Sequence, residues 1–217
     1  MTTPAPTPAP TPTPTPAPAT PPPPPPSPPL NPRVDLLVRQ LDLVWTLFEY
    51  HLPKLDDEDH FWEPAPGAWS VRRDAAGRWV ADWEVPEPEP VPTTSIAWLT
   101  WHIGYWWTTT HQHVFGPGAP AREDITWPGT AASTADWLRT MKSDWRTALL
   151  PLTDTDLDST TRTQGLPWGG TLTLMDIASW VNFELTKNVA EIGLTHRLRA
   201  AGVHGSRTSD PAWTGRL

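Results

Sequence analysis

The chain has 217 residues, of which 30 are proline, 15 are tryptophan and none is cysteine, and its formal net charge is −8 at pH 7. The lack of cysteine excludes a disulfide scaffold, and the lack of a long apolar run excludes a transmembrane protein. No basic stripe is present, which argues against nucleic-acid binding. The two enriched residue types are separated, because 17 of the prolines lie within the first 32 residues and no tryptophan precedes Trp45.

Residues 1–31 form a segment rich in proline, threonine and alanine. Proline fixes φ and has no N–H donor, so this segment is predicted to be a disordered, polyproline-II-like arm. Two roles stay open for it, a ligand for an aromatic groove and a low-complexity extension. The scarcity of basic residues beside the proline run, apart from Arg33, favours the extension. The segment lacks the features of a secretory signal, so we expect a cytoplasmic protein.

The first predicted helix spans residues 32–52. Asn31 is a favourable N-cap, Pro32 suits the first helical position, and Pro53 ends the segment. Apolar residues recur at spacings of three and four, which is typical of an amphipathic helix. They are Val34, Leu37, Val38, Leu41, Trp45, Phe48 and Leu52.

Residues 53–92 are predicted to form a long irregular loop. Prolines at every second position from Pro86 to Pro92 forbid regular strand pairing there. A loop of this length inside a compact domain is usually functional or mobile. Its four tryptophans indicate that part of it packs over the helices as a lid; they are Trp62, Trp69, Trp79 and Trp83.

Three further helices are predicted, from Thr94 to about Val114, from Ser133 to Pro151, and from about Leu172 to Ala200. The first of these is apolar nearly all round, which predicts a buried central helix. Four long helices with almost no strand signal predict an all-α four-helix bundle over residues 32–201. Residues 202–217 are polar and are predicted to form a flexible tail.

Polar residues on the inward helix faces are candidates for function, because a buried polar group must be partnered or functional. His102 lies in the middle of the most apolar helix, and Glu184 and Asn188 share one face of the last helix. Imidazole and carboxylate suit Zn, Mn, Ni or Fe, whereas an amide oxygen is a weak ligand. A polar network between the two helices is the alternative interpretation. The tryptophans expected to line a pocket around these residues are Trp69, Trp98 and Trp106.

The chain contains three characteristic segments, which are, in order, FWEPAPGAWSVRR, SIAWLTWHIGYWW and LPWGGTLTLMDIASWVNFELTKNVAEIG. Together they resemble the DinB superfamily, especially its actinobacterial branch, over about residues 33–200. The resemblance implies a four-helix bundle with a divalent metal on three histidines, one on the second helix and two on the fourth at i and i+4. It also implies a relation to transferases and isomerases that use bacillithiol or mycothiol.

Carried over to this chain, the ligand on the second helix matches His102, and the other two positions hold Glu184 and Asn188. Glutamate can still bind a hard or borderline metal, whereas asparagine is much poorer. The sequence therefore favours a non-catalytic bundle that binds a small molecule or partner beside a degenerate metal site. The alternative is a metal-dependent S-transferase or hydrolase acting on a mycothiol- or bacillithiol-type conjugate, with Zn, Ni or Mn. Neither nucleic acid nor membrane is an expected partner, and a homodimer stays open.

Overall fold

The computed structural model describes residues 30–203 and the backbone of residues 206–207. The predicted arm up to residue 29 and the tail from residue 208 lie outside the described residues. The described elements, in chain order, are α1 (Pro32–His51), α2 (Asp57–Phe61), β1 (Trp62–Glu63), β2 (Val71–Arg73), β3 (Trp79–Ala81), α3 (Ile96–Phe115), α4 (Ala131–Leu149), α5 (Asp154–Leu157), α6 (Leu174–Ala200) and β4 (Ser206–Arg207).

Helices α1, α3, α4 and α6 form the predicted all-α bundle. The Asn182 amide donates to the Leu37 carbonyl oxygen and Gly193 lies against His51, so α6 runs parallel to α1. Gly104 of α3 lies against Trp137 of α4, and the His111 and Trp145 rings are 6.3 Å apart, so these two helices are also parallel.

The two pairs of helices run in opposite directions, because Glu49 near the end of α1 bonds Arg139 in the first half of α4. Each helix start carries its own cap: the Ser95, Thr130 and Thr173 side chains accept the N–H groups of residues 98, 133 and 176. These caps place the helix starts within two residues of the sequence prediction.

The core lies between the four long helices and consists largely of leucine, isoleucine, valine and tryptophan. Helix α3 is the central element, as its apolar composition predicts, with Trp101, Trp106 and Trp107 each 1% exposed. Within the described part of the chain, no helix has the length and apolarity needed to cross a bilayer.

The segment predicted as an irregular loop contains more regular structure than its prolines suggest. Helix α2 begins at a capping box made by Asp56 and Asp59, and β2 and β3 pair antiparallel around a turn with Gly77 at φ 77°. The prolines from Pro86 onward follow the hairpin, so they do not interrupt its pairing. Within the predicted tail, the described residues 206–207 form β4, which pairs antiparallel with β1.

Candidate functional site

His102 lies midway along α3 in an aromatic environment. Its ring stacks on Trp98 at a centroid distance of 4.7 Å, and the Trp83 ring lies 6.5 Å away. Its Nδ1 is buried and has no hydrogen-bond partner among the described residues. Burial, and to a smaller extent the positive charge of Lys187, lower the pKa of His102 to about 3. The imidazole is therefore neutral at physiological pH.

Glu184 and Asn188 lie on α6 and contact each other. The Asn188 Nδ2 donates to the Glu184 backbone oxygen at 2.7 Å and approaches the Glu184 carboxylate at 3.4 Å. The same carboxylate forms an ion pair with Lys187, with 3.1 Å between Oε2 and Nζ. Asn188 is fully buried, and its Oδ1 has no partner within the part of the chain that the structure describes.

The donor set does not fit a tight transition-metal site. A shared ion would need donor atoms about 2.0–2.2 Å from one point, and structural and catalytic sites use at least three strong ligands. Here the imidazole of His102 is one strong donor, the Glu184 carboxylate is already paired with Lys187, and Asn188 offers only an amide. No group of three histidine, cysteine, aspartate or glutamate side chains in residues 30–203 could hold an ion.

The three tryptophans expected around His102 differ in which rings they contact. Trp69 and Trp98 are neighbours, with centroids 5.5 Å apart, and Trp98 carries the His102 ring. Trp106 is buried one helical turn after His102, and its ring stacks on Trp107 and contacts Trp180. Trp98 therefore contacts His102 directly and Trp69 packs behind Trp98, whereas the ring of Trp106 packs on Trp107 and Trp180.

A cleft of about 820 Å³ opens beside this aromatic group. Its walls come from the β2–β3 hairpin, the proline-rich loop and the segment before α4. The aromatic residues that line it are Trp69, Trp83 and Trp101. Because Trp83 also faces the His102 ring, the cleft is separated from the imidazole by one layer of tryptophan.

A partly buried charge network holds the hairpin wall of the cleft. The Arg72 Nε donates to both carboxylate oxygens of Asp82 at 3.0 and 2.9 Å, and its Nη2 donates to Glu63 at 3.1 Å. The Ser70 N–H also donates to Asp82. Burial raises the pKa of Asp82, although these bonds to its charged form act in the opposite direction.

Sequence reasoning missed the cleft and its charged residues. The sequence does contain a turn signal for the hairpin, because the segments VRR and WVA flank a short stretch that contains Asp74 and Gly77. The hairpin brings Arg72 and Asp82 together across ten residues. The Trp98 indole donates to the Asp82 backbone oxygen at 2.8 Å, which fixes the hairpin to α3.

The comparisons with known proteins give one match. A family model described as the DinB superfamily matches residues 78–192, which is more than half of the chain. The match covers β3, α3, α4, α5 and most of α6, and so includes all three candidate metal-site positions. The chain matches none of the curated proteins and none of the solved structures.

Proposed function

Because the chain belongs to the DinB superfamily, we propose that it is a non-catalytic member that binds a small molecule without a metal. The observation that carries this proposal is the state of the Glu184 carboxylate. It forms an ion pair with Lys187 and is contacted by the Asn188 amide, so a metal ion would have to displace the Lys187 ammonium to bind it.

Two buried polar atoms on α3 and α6 lack a partner among the described residues, and neither His102 nor Asn188 lines the cleft. The Asn188 Oδ1 is an acceptor, and the neutral His102 ring can accept or donate according to its tautomer. An unpaired buried polar atom costs about 1–3 kcal/mol, which a ligand or water with a donor group would recover.

The tryptophan-lined cleft supports binding of a molecule with a flat apolar part. Ligand sites are typically clefts of about 300–1,000 Å³ with mostly apolar walls and a few fixed polar groups. The cleft of about 820 Å³ lies in this range of volume, and Trp69, Trp83 and Trp101 line it together with the fixed Arg72–Asp82 pair and further charged side chains.

The metal-free part of the proposal is tested by elemental analysis of untagged protein after exposure to Zn²⁺, Ni²⁺ or Mn²⁺. We expect no stoichiometric metal in the native chain and a gain of metal in the double variant Glu184→His/Asn188→His, because two imidazoles would then replace a paired carboxylate and an amide. One equivalent of metal in the native chain, lost in His102→Ala, would instead support the metal-dependent thiol transferase or hydrolase.

The binding part is tested by thermal-shift measurement with a panel of small aromatic and amide-bearing metabolites. A ligand of the folded state raises the melting temperature. We expect at least one compound to stabilise the native chain and to lose its effect in Trp83→Ala. Trp168→Ala is the matched control, since this half-buried tryptophan packs on Trp180 and does not line the cleft. An equal loss in both variants would contradict binding at the cleft.

A further inference from the structure

Helices α1 and α6 expose an unusual number of large apolar side chains. Six of the eleven large apolar side chains exposed among the described residues lie on these two helices, with exposed fractions between 46% and 72%. We call this surface the α1–α6 face. Its apolar residues are Leu36, Leu43, Leu47 and Tyr50 on α1 and Phe183 and Leu194 on α6.

The two rows of side chains form one continuous surface. On α1 they are spaced by seven, four and three residues, so they share one side of the helix. The register of the two helices is fixed by the bond from Asn182 to the Leu37 carbonyl and by the contact of Gly193 with His51. This register places Phe183 level with the stretch between Leu36 and Leu43.

The same register places Leu194 level with Tyr50. At the seam between the two rows, the exposed Gln40, Thr186 and Ala190 carry no charge, whereas the exposed Arg197 lies beside Gly193 and His51. The six apolar side chains expose roughly 650 Å² in total, from their exposed fractions, and a standard interface buries about 800 Å² on each partner. The largest apolar patch of a typical monomer is about 300–600 Å².

We propose that the α1–α6 face is the interface of a homodimer, with a second copy of this chain as its occupant. The face is self-complementary in composition, so a two-fold axis would pack α1 and α6 of one copy on the same helices of the other. The exposed area of the six apolar side chains is nearly as large as the area that one partner buries in a standard interface. The exposed Gln40, Thr186 and Ala190 would add the remaining area.

Charge also permits two acidic copies to meet here. The chain carries a net charge of −8, which disfavours association through most of its surface. Beside the face, however, Asp35 is paired with Arg39 at 3.1 Å and Glu184 with Lys187 at 3.1 Å. The ammonium of Lys54 lies 3.0 Å above the Tyr50 ring. The negative charges beside the face are therefore paired, and Lys54 and Arg197 add positive charge near Tyr50 in an otherwise acidic protein.

The test is the mass of the full chain in solution, by light scattering and sedimentation at micromolar concentrations. We expect twice the chain mass of 24.1 kDa. The variant Leu47→Glu/Phe183→Glu should dissociate at least about tenfold more readily, because it buries two carboxylates in the interface. Val85→Glu is the matched control, since Val85 is 84% exposed in the proline-rich loop. Far-UV circular dichroism shows whether each variant is folded.

A second measurement uses the absence of native cysteine. A Phe183→Cys chain should cross-link to itself through a short bismaleimide, whereas Val85→Cys should not. A native chain that stays monomeric throughout the concentration range overturns the proposal. If removal of residues 1–29 then converts it to a dimer, the arm is the occupant of the face. A dimer that both the double variant and Val85→Glu leave intact also overturns the proposal, because its interface lies elsewhere.

Discussion

Gly104 is a position at which α3 lies very close to a side chain of α4, the ring of Trp137. A Cβ added there would lie 1.7 Å from the Trp137 ring, so the ring would have to move. Overpacking of this kind costs about 1–3 kcal/mol, whereas replacing a helical glycine by alanine gains about 0.5–1 kcal/mol. We therefore expect Gly104→Ala to lower the free energy of unfolding by about 1 kcal/mol, measured by urea denaturation.

The physical reason for this loss can be isolated with a second variant. In a Trp137→Leu background the ring is absent, so Gly104→Ala should become stabilising by about 0.5–1 kcal/mol through helix propensity alone. A loss of the same size in both backgrounds would show that the cost comes from the backbone of α3 and not from the packing of Trp137.

His102 shows what a single position can and cannot reveal before the structure is known. Its place in an apolar helix predicted a buried polar group, and the structure adds the stacking on Trp98 and the lowered pKa. The effect of Lys187 on the pKa of His102 was not predicted, because a lysine three residues after a glutamate usually forms only a surface ion pair with it. Only the packing of α3 beside α6 brings its charge near an imidazole.

At the scale of the elements, α1 and α4 are joined by ion pairs as well as by apolar contacts. Arg139 bonds both carboxylate oxygens of Glu49, at 2.9 and 3.0 Å, and the Trp45 indole donates to the same carboxylate. The hydrogen bonds from the Arg139 guanidinium hold the pKa of Glu49 below its ordinary value of 4.5, although burial acts in the opposite direction. This pair therefore adds pH-dependent stability to the bundle.

We expect Glu49→Gln to lower the free energy of unfolding at pH 7 by about 0.2–1 kcal/mol, since both side chains are more than one-third exposed to solvent. A carboxylate with a depressed folded-state pKa stabilises above the unfolded-state pKa, and this contribution is lost as pH falls through the folded-state value. The difference between native and variant chains should thus shrink as pH falls from 7 towards 3. Denaturant titrations at several pH values measure it.

The exposed Glu87 in the proline-rich loop provides the control for this experiment. Glu87→Gln should change the free energy of unfolding little at any pH, because surface substitutions away from specific contacts usually have small effects. A Glu49→Gln difference that stays constant across the pH range would mean that the pair contributes through packing and not through charge.

The four long helices could be predicted from the sequence because each has caps and a periodic apolar face. The hairpin was harder to predict: Asp74 and Gly77 mark its turn, but β2 and β3 have only three residues each, and their stability comes from Arg72, Asp82 and the contact with Trp98. These contacts join residues distant along the chain, so no local pattern reports them. The cleft depends on the hairpin and was missed for the same reason.

At the scale of the whole molecule, the start of α1 is held by contacts with other described residues of the bundle. Asn31 caps α1 and donates to Asp154, and Arg33 forms ion pairs with Asp154 and Asp158 at 3.2 and 2.7 Å. These contacts join the start of α1 to α5 and the residue after it. All charged side chains of the protein also follow residue 32, so removal of residues 1–29 leaves the side-chain charge unchanged.

We therefore expect a chain that begins at Leu30 to unfold at the same temperature as the full chain, within about 1 °C, by differential scanning calorimetry. A chain that begins at Val34 is the matched control, because it loses Asn31, Pro32 and Arg33. Loss of an N-cap costs about 1 kcal/mol, and each kcal/mol lowers the melting temperature by about 2–4 °C in a chain of this size. The longer deletion should therefore melt several degrees lower. If the shorter deletion lowers the melting temperature as much, then residues before Leu30 stabilise the bundle, and its boundary lies nearer the N-terminus than residue 30.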